Sequence, residues 1–207
     1  MTTMKFYMTP GSCTTGIHIL LEEIDVPFEA YILNLPAGDQ HKPDYLAVNP
    51  KASIPTLVRT DGTALTEFQA IAWWLARSYP KVKLLPDNLE AEVKALELMD
   101  YVVGTMHMQG FARIFATYNF TAGGADEERV KAQGKQIVEK GFIFMNTQLP
   151  EKGYVLGEFS IADAALFYVE FWADKLNIII PPNCRAHYQL MLGRPVVQRV
   201  LREEGYR

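Results

Sequence analysis

The apolar pattern of this chain changes character at Pro80, and that change limits the possible folds more than any other feature. Before Pro80, short β-type runs alternate with helical ones; beyond it, the strongly patterned segments are helical. Lys5 to Met8 reads as a short strand stopped by Pro10-Gly11, and Ile17, Leu20, Leu21 and Ile24 mark a helix from about Thr14 to Ile24. Phe28 to Leu35 is strand-like, and Pro43 to Val48 holds one or two helical turns. Thr56 to Thr60 and Ala64 to Thr66 flank Asp61-Gly62, a pair suited to the positive φ angles of a tight hairpin. From Glu67, the apolar set Ile71, Trp74, Leu75 and Tyr79 marks a helix that Pro80 ends. The order βαβαββα calls for a small mixed sheet covered by helices.

Residues 81–88 read as a linker between a first domain, residues 1–80, and a helical domain, residues 89–207. A long helix from Leu89 to about Tyr118 breaks at Thr121-Ala122-Gly123-Gly124, and a second runs from Asp126 to Leu149 before Pro150. Ser160-Ile161-Ala162-Asp163 has the form of a capping box, with the acid three residues after the hydroxyl, and opens a helix to about Leu176. Pro181-Pro182 and Gly193-Arg194-Pro195 punctuate two final short helices. The expected class is α/β followed by all-α.

Charge and cysteine usage exclude several functions. With 20 basic against 24 acidic residues, the chain has no electrostatic footprint for nucleic acid. Two cysteines build no disulfide framework, which suits a reduced, cytoplasmic protein. The uncharged run from Phe6 to Leu21 is too short and too polar to span a bilayer, and the amino terminus lacks the form of a signal peptide. His18, His41, His107 and His187 show no metal-ligand spacing with either cysteine, so no metal is expected. Phosphate-loop, dinucleotide and Gly-x-Ser-x-Gly motifs are absent.

Four places could carry chemistry. Cys13 follows a strand and a Pro-Gly turn at a helix start, where N–H groups and the helix dipole favour a thiolate; its other reading is an inert buried hydrophobe. Ile54-Pro55 opens a strand, and on pattern alone an ordinary trans proline is the simpler reading. Thr66-Glu67-Phe68 starts a helix, giving either an anion site beside an acid or simple capping. Asp100 and His107 are seven residues apart on a predicted helix, hence on one face, with Phe111, Phe115 and Tyr118 near the same stripe. Most helical histidines and aromatic stripes are structural.

Together these stretches resemble the glutathione S-transferases, most closely the bacterial beta class. The resemblance covers nearly the whole chain. Residues 4–13 (MKFYMTPGSC) resemble the opening strand and cysteine, and residues 45–57 (YLAVNPKASIPTL) the approach to a cis-proline. Residues 61–72 (DGTALTEFQAIA) resemble the hairpin and glutathione-binding helix start, and residues 157–172 (GEFSIADAALFYVEFW) the capping-box region.

The resemblance implies a thioredoxin-like amino-terminal domain that binds glutathione and an all-helical domain that supplies the pocket for a small electrophile. Ser53, Ile54 and Pro55 would form the loop whose backbone pairs with glutathione, and Glu67 and Phe68 would hold the γ-glutamyl end. Asp100 would reach the same end across a homodimer. Cys13 and His107 match positions that contact the glutathione sulfur, and Phe111 and Trp172 fall at the electrophile pocket. Three positions depart from the family pattern: Phe68 replaces a serine or glycine, Met108 a lysine, and Thr14 a serine. The implied activity is detoxifying conjugation of glutathione to apolar electrophiles, with thiol–disulfide exchange through Cys13 as a variant. A non-catalytic binding or adaptor protein on the same scaffold is the competing reading.

Overall fold

A computed structural model describes residues 3–122 and 126–206. It divides into two units, residues 1–85 with 193–207, and residues 86–192.

In the first unit, β1 (Met4–Met8) is followed by α1 (Thr14–Glu23), β2 (Phe28–Ile32), a short α2 (Pro43–Leu46), β3 (Thr56–Val58), β4 (Ala64–Thr66) and α3 (Phe68–Ser78). The sheet order is β2-β1-β3-β4; β1 and β2 are parallel, and the other neighbours are antiparallel. This is the expected βαβαββα arrangement. Alternation along β1 buries Met4, Phe6 and Met8, while Ile17, Leu20 and Leu21 of α1 and Ile71 and Leu75 of α3 are likewise fully or almost fully buried. The hairpin forms where Asp61-Gly62 predicted it: Gly62 has φ +84°, and the Asp61 carboxylate accepts from the Thr63 N–H at 2.9 Å.

The carboxyl-terminal residues depart from expectation. The sequence pattern extends the helical domain through residue 207, but α9 (Pro195–Glu203) belongs to the first unit and lies along α1. Arg194 and Arg199 bind Glu23 and Glu22 of α1, and the Glu204 carboxylate accepts from the Gly11 N–H at 2.8 Å and the Thr15 hydroxyl at 2.7 Å. Val197, Val200 and Leu201 are buried. Gly11 is required: its φ is +71°, and the Tyr206 ring occupies the space a side chain would need.

The second unit is helical. α4 (Leu89–Asp100) runs into a π-helical stretch (Tyr101–Phe111) and ends as α5 (Ala112–Phe115). The wider winding appears where the Ala112 N–H reaches the His107 carbonyl, five residues back. Beside it runs α6 (Glu127–Gln148), close enough that a Cβ at Gly134 would meet the Gly110 carbonyl at 2.7 Å. Gly123 and Gly124 of the expected break lie outside the described residues. α7 (Ile161–Lys175) is buried from Ile161 to Ala173, and α8 (Pro182–Gly193) follows. The capping box forms at α7, with Asp163 accepting from the Ser160 N–H at 2.8 Å. Among the described residues, no helix is long and apolar enough to cross a membrane.

Candidate functional site

The first unit gathers Cys13, the Ser53–Pro55 loop and Glu67. Cys13 lies at the start of α1, held by the turn before it: the Thr14 hydroxyl donates to the Thr9 carbonyl at 2.9 Å, and the Ser12 N–H does the same at 3.1 Å. The Cys13 Sγ faces the Ile54 carbonyl at 3.9 Å. The Ile54–Pro55 peptide is cis, as the family resemblance implied and the local pattern did not.

The loop is fixed by two buried residues that sequence reading passed over. The Ser53 carbonyl accepts from the Tyr45 hydroxyl at 2.5 Å and from Asn49 Nδ2 at 2.8 Å, and both also bond the Thr56 hydroxyl. Buried polar groups satisfied in this way specify one loop geometry. The signal available in sequence was a tyrosine and an asparagine on either side of a single helical turn, which many loops share.

Of the two readings of Cys13, burial favours the neutral thiol. Burial is the largest influence and pushes its pKa up to about 12, against the lowering contributed by its own N–H, Ser12 and the Thr14 N–H; the Glu67 carboxylate raises it further. Burial outweighs the helix terminus, so Cys13 is a neutral thiol and a hydrogen-bond donor. Cys184 is also buried, donates towards the Phe142 carbonyl, and is pushed up by burial and by Glu170.

Glu67 has φ +72°, a conformation that costs a non-glycine residue of order 1–3 kcal/mol and tends to be kept at ligand sites. It places the carboxylate at the start of α3, where Lys51 Nζ binds it at 2.6 Å and also donates to the Thr66 hydroxyl at 2.8 Å. Phe68, the next residue, is only 3% exposed, so its ring is part of the core.

In the second unit, His107 belongs to an aromatic cluster. Its ring is 4.9 Å from Trp172 in edge-on contact, and its Nδ1 is 3.3 Å from the Tyr168 hydroxyl. Burial lowers its pKa to about 4, so the imidazole is neutral at pH 7. Trp172 also contacts Phe111, Phe115 and Tyr168. Phe111 has no exposed surface and backs the cluster, which corrects its placement on the wall of the electrophile pocket; Phe115 is the exposed ring. Asp100 is exposed at the end of α4. The single face drawn through Asp100 and His107 assumed 3.6 residues per turn, and the π-helical stretch between them breaks that count.

A second buried cluster lies elsewhere on α7. His187 Nδ1 is 2.8 Å from Glu170 and its Nε2 is 3.1 Å from Asp163, and all three side chains are closed to solvent. Burial opposes its charge, but Glu170 and Asp163 prevail and raise the His187 pKa to about 10.

Comparison with known proteins agrees with this architecture. Residues 11–78 match the family model for the glutathione S-transferase amino-terminal domain, and residues 127–190 that for the carboxyl-terminal domain. The glutathione S-transferase GstA of Escherichia coli O157:H7 is 35% identical over 98% of this chain and 99% of its own length. A glutathione transferase homologue from Sulfitobacter, solved with bound glutathione, superposes with a TM-score of 0.90 at 30% identity, covering 98% of this chain and 99% of its own. The beta-class enzyme of Sphingomonas chungbukensis superposes at 0.83 with 28% identity, over 98% of this chain and all of its own. With both domain models matched in order and a full-length relative at this identity, the chain belongs to the glutathione S-transferase family.

Proposed function

We propose that this protein is a glutathione transferase that joins the glutathione sulfur to small apolar electrophiles, acting as a cytoplasmic homodimer. The observation that carries the reading is the meeting of the Cys13 thiol with the Ile54 carbonyl beside a cis-proline, in a full-length relative of named glutathione S-transferases. In this reading the Ile54 backbone pairs with the cysteinyl backbone of glutathione. Glu67 exchanges Lys51 for the γ-glutamyl ammonium, the Phe68 N–H takes the neighbouring carboxylate, and Asp100 of the partner subunit completes that end.

Glutathione must react as a thiolate, because the anion is the nucleophile. Cys13, neutral at pH 7, donates its S–H to that sulfur and favours the charged form. His107, also neutral, is suited to accept a proton or a hydrogen bond rather than to supply positive charge. The thiolate sulfur then forms a bond to the electrophilic carbon, and a leaving group departs with the electron pair of its own bond. The exposed Phe115, packed against the buried Trp172, offers apolar surface for that substrate.

A Cys13 thiol with a pKa near 12 is a poor nucleophile, which favours conjugation over thiol–disulfide exchange. The test is turnover with glutathione and an activated aryl halide. Cys13→Ala is expected to retain conjugation at a reduced rate, and His107→Ala to lose ten-fold or more, in the range of general-base effects. Absence of glutathione-dependent turnover with a panel of electrophiles would overturn the reading.

A further inference from the structure

A groove of about 490 Å³ lies on the first unit, away from Cys13, with apolar walls from Leu21, Val26 and Phe28. Its remaining lining includes His18, Glu22, Asp25, Glu203 and Glu204, and no lysine or arginine. Four carboxylates against the one guanidinium bound at its edge, that of Arg199 on Glu22, favour cations in the groove.

His18 is the centre of this set, buried at 4% exposure. Its Nδ1 is 2.9 Å from Glu204, a carboxylate that also accepts from the Gly11 N–H and the Thr15 hydroxyl. Nδ1 therefore carries a hydrogen, and the other nitrogen is directed by that bond. Nε2 faces Glu203 Oε2 at 3.2 Å. In that tautomer both facing atoms offer lone pairs, and a cation between them would satisfy the contact.

The spacing fits a metal ion, and unlike the closed His187 cluster this one opens on a groove. Zn–N and Zn–O bonds of about 2.0–2.2 Å put adjacent tetrahedral ligand atoms about 3.3–3.6 Å apart, close to the Nε2–Oε2 separation. Glu22, one helical turn after His18, brings a third ligand: one atom from each of His18, Glu22 and Glu203 lies within 4.8 Å of the others. Arg199 binds Glu22 through Oε2. The Glu204–His18 hydrogen bond is the carboxylate–histidine support that metal-ligating imidazoles characteristically have. We propose that His18, Glu22 and Glu203 form a site for a divalent transition-metal ion of the zinc type, with solvent as a further ligand.

The sequence does not display this site, because Glu203 joins His18 only when α9 docks on α1. The test uses the whole protein, stripped with chelator and titrated with Zn2+ by calorimetry and with Co2+ by absorption. One ion per chain is expected, with Co2+ bands of a nitrogen and oxygen set and no thiolate charge-transfer band. Zn2+ should also raise the melting temperature. Glu203→Gln, a half-exposed position that leaves the fold intact, should weaken binding at least ten-fold, and Glu22→Gln should do likewise. No saturable binding, equal affinity in both variants, or a thiolate band that assigns the ion to cysteine would overturn the proposal.

Discussion

His107 and His187 contact the same helix, α7, yet they titrate in opposite directions. His107 meets Tyr168 and Trp172, and burial without a nearby carboxylate lowers its pKa to about 4. His187 meets Asp163 and Glu170, which overcome burial and raise it to about 10. At pH 7 the first ring is neutral, and the second is a cation committed to its partners. Burial of a histidine does not by itself set its charge; the acids in contact do.

Removing His187 should have the largest effect on stability. His187→Ala leaves Asp163 and Glu170 buried without their cation, a loss of about 3–5 kcal/mol that a denaturant midpoint would read. A smaller change would mean that the two acids find other partners.

The pH dependence sharpens the comparison. The folded pKa of His187 lies above its unfolded value of 6.5, so its stabilisation is full below that value and is lost as pH rises through about 10. Glu170, which burial raises to about 7, has the same sign: its contribution is present below the unfolded value of 4.5 and is lost as pH rises through 7. His107 has the opposite sign, stabilising above 6.5 and losing that share as pH falls through about 4. Melting temperatures should therefore decline from pH 7 to 10 in the wild type and be flatter in a double variant, Glu170→Gln with His187→Gln. An equal alkaline decline in both would assign it elsewhere.

Phe68→Ser separates fold from ligand. Because the ring is buried, the substitution should cost about 3 kcal/mol of stability, whatever the new hydroxyl offers to glutathione. Denaturant unfolding with and without glutathione distinguishes the two effects. A smaller stability effect belongs to His107→Ala, about 1–2 kcal/mol for the hydrogen bond to Tyr168 and the edge contacts with Tyr168 and Trp172, although turnover should fall far more. A variant that unfolds would place His107 among the structural histidines.

Much of the first unit was legible in the sequence because its signals are local. The strand alternation of β1, the periodicity of α1 and Asp61-Gly62 each act within a few residues. The capping function of Asp163 was legible for the same reason, but its second partner, His187, comes from another helix. What sequence reading missed depends on tertiary packing. The π-helical winding around His107 runs beside α6, where glycines allow close approach, so a 3.6 period misplaced Asp100 relative to His107. Cys13 has the sequence setting of an activated thiol, and only its burial makes it neutral. Glu204 and Tyr206 close over the Cys13 turn from the far end of the chain.

Calorimetric titration of glutathione into the wild type and Glu67→Gln tests the central claim most directly. Glu67 is exposed, so the variant keeps its fold while the charge that would meet the γ-glutamyl ammonium is gone. A hydrogen bond to a charged group is worth about 1.5–3 kcal/mol, so binding in the wild type should weaken roughly ten- to a hundred-fold in the variant. No binding to the wild type, or equal affinity in both proteins, would contradict a glutathione site at the start of α3.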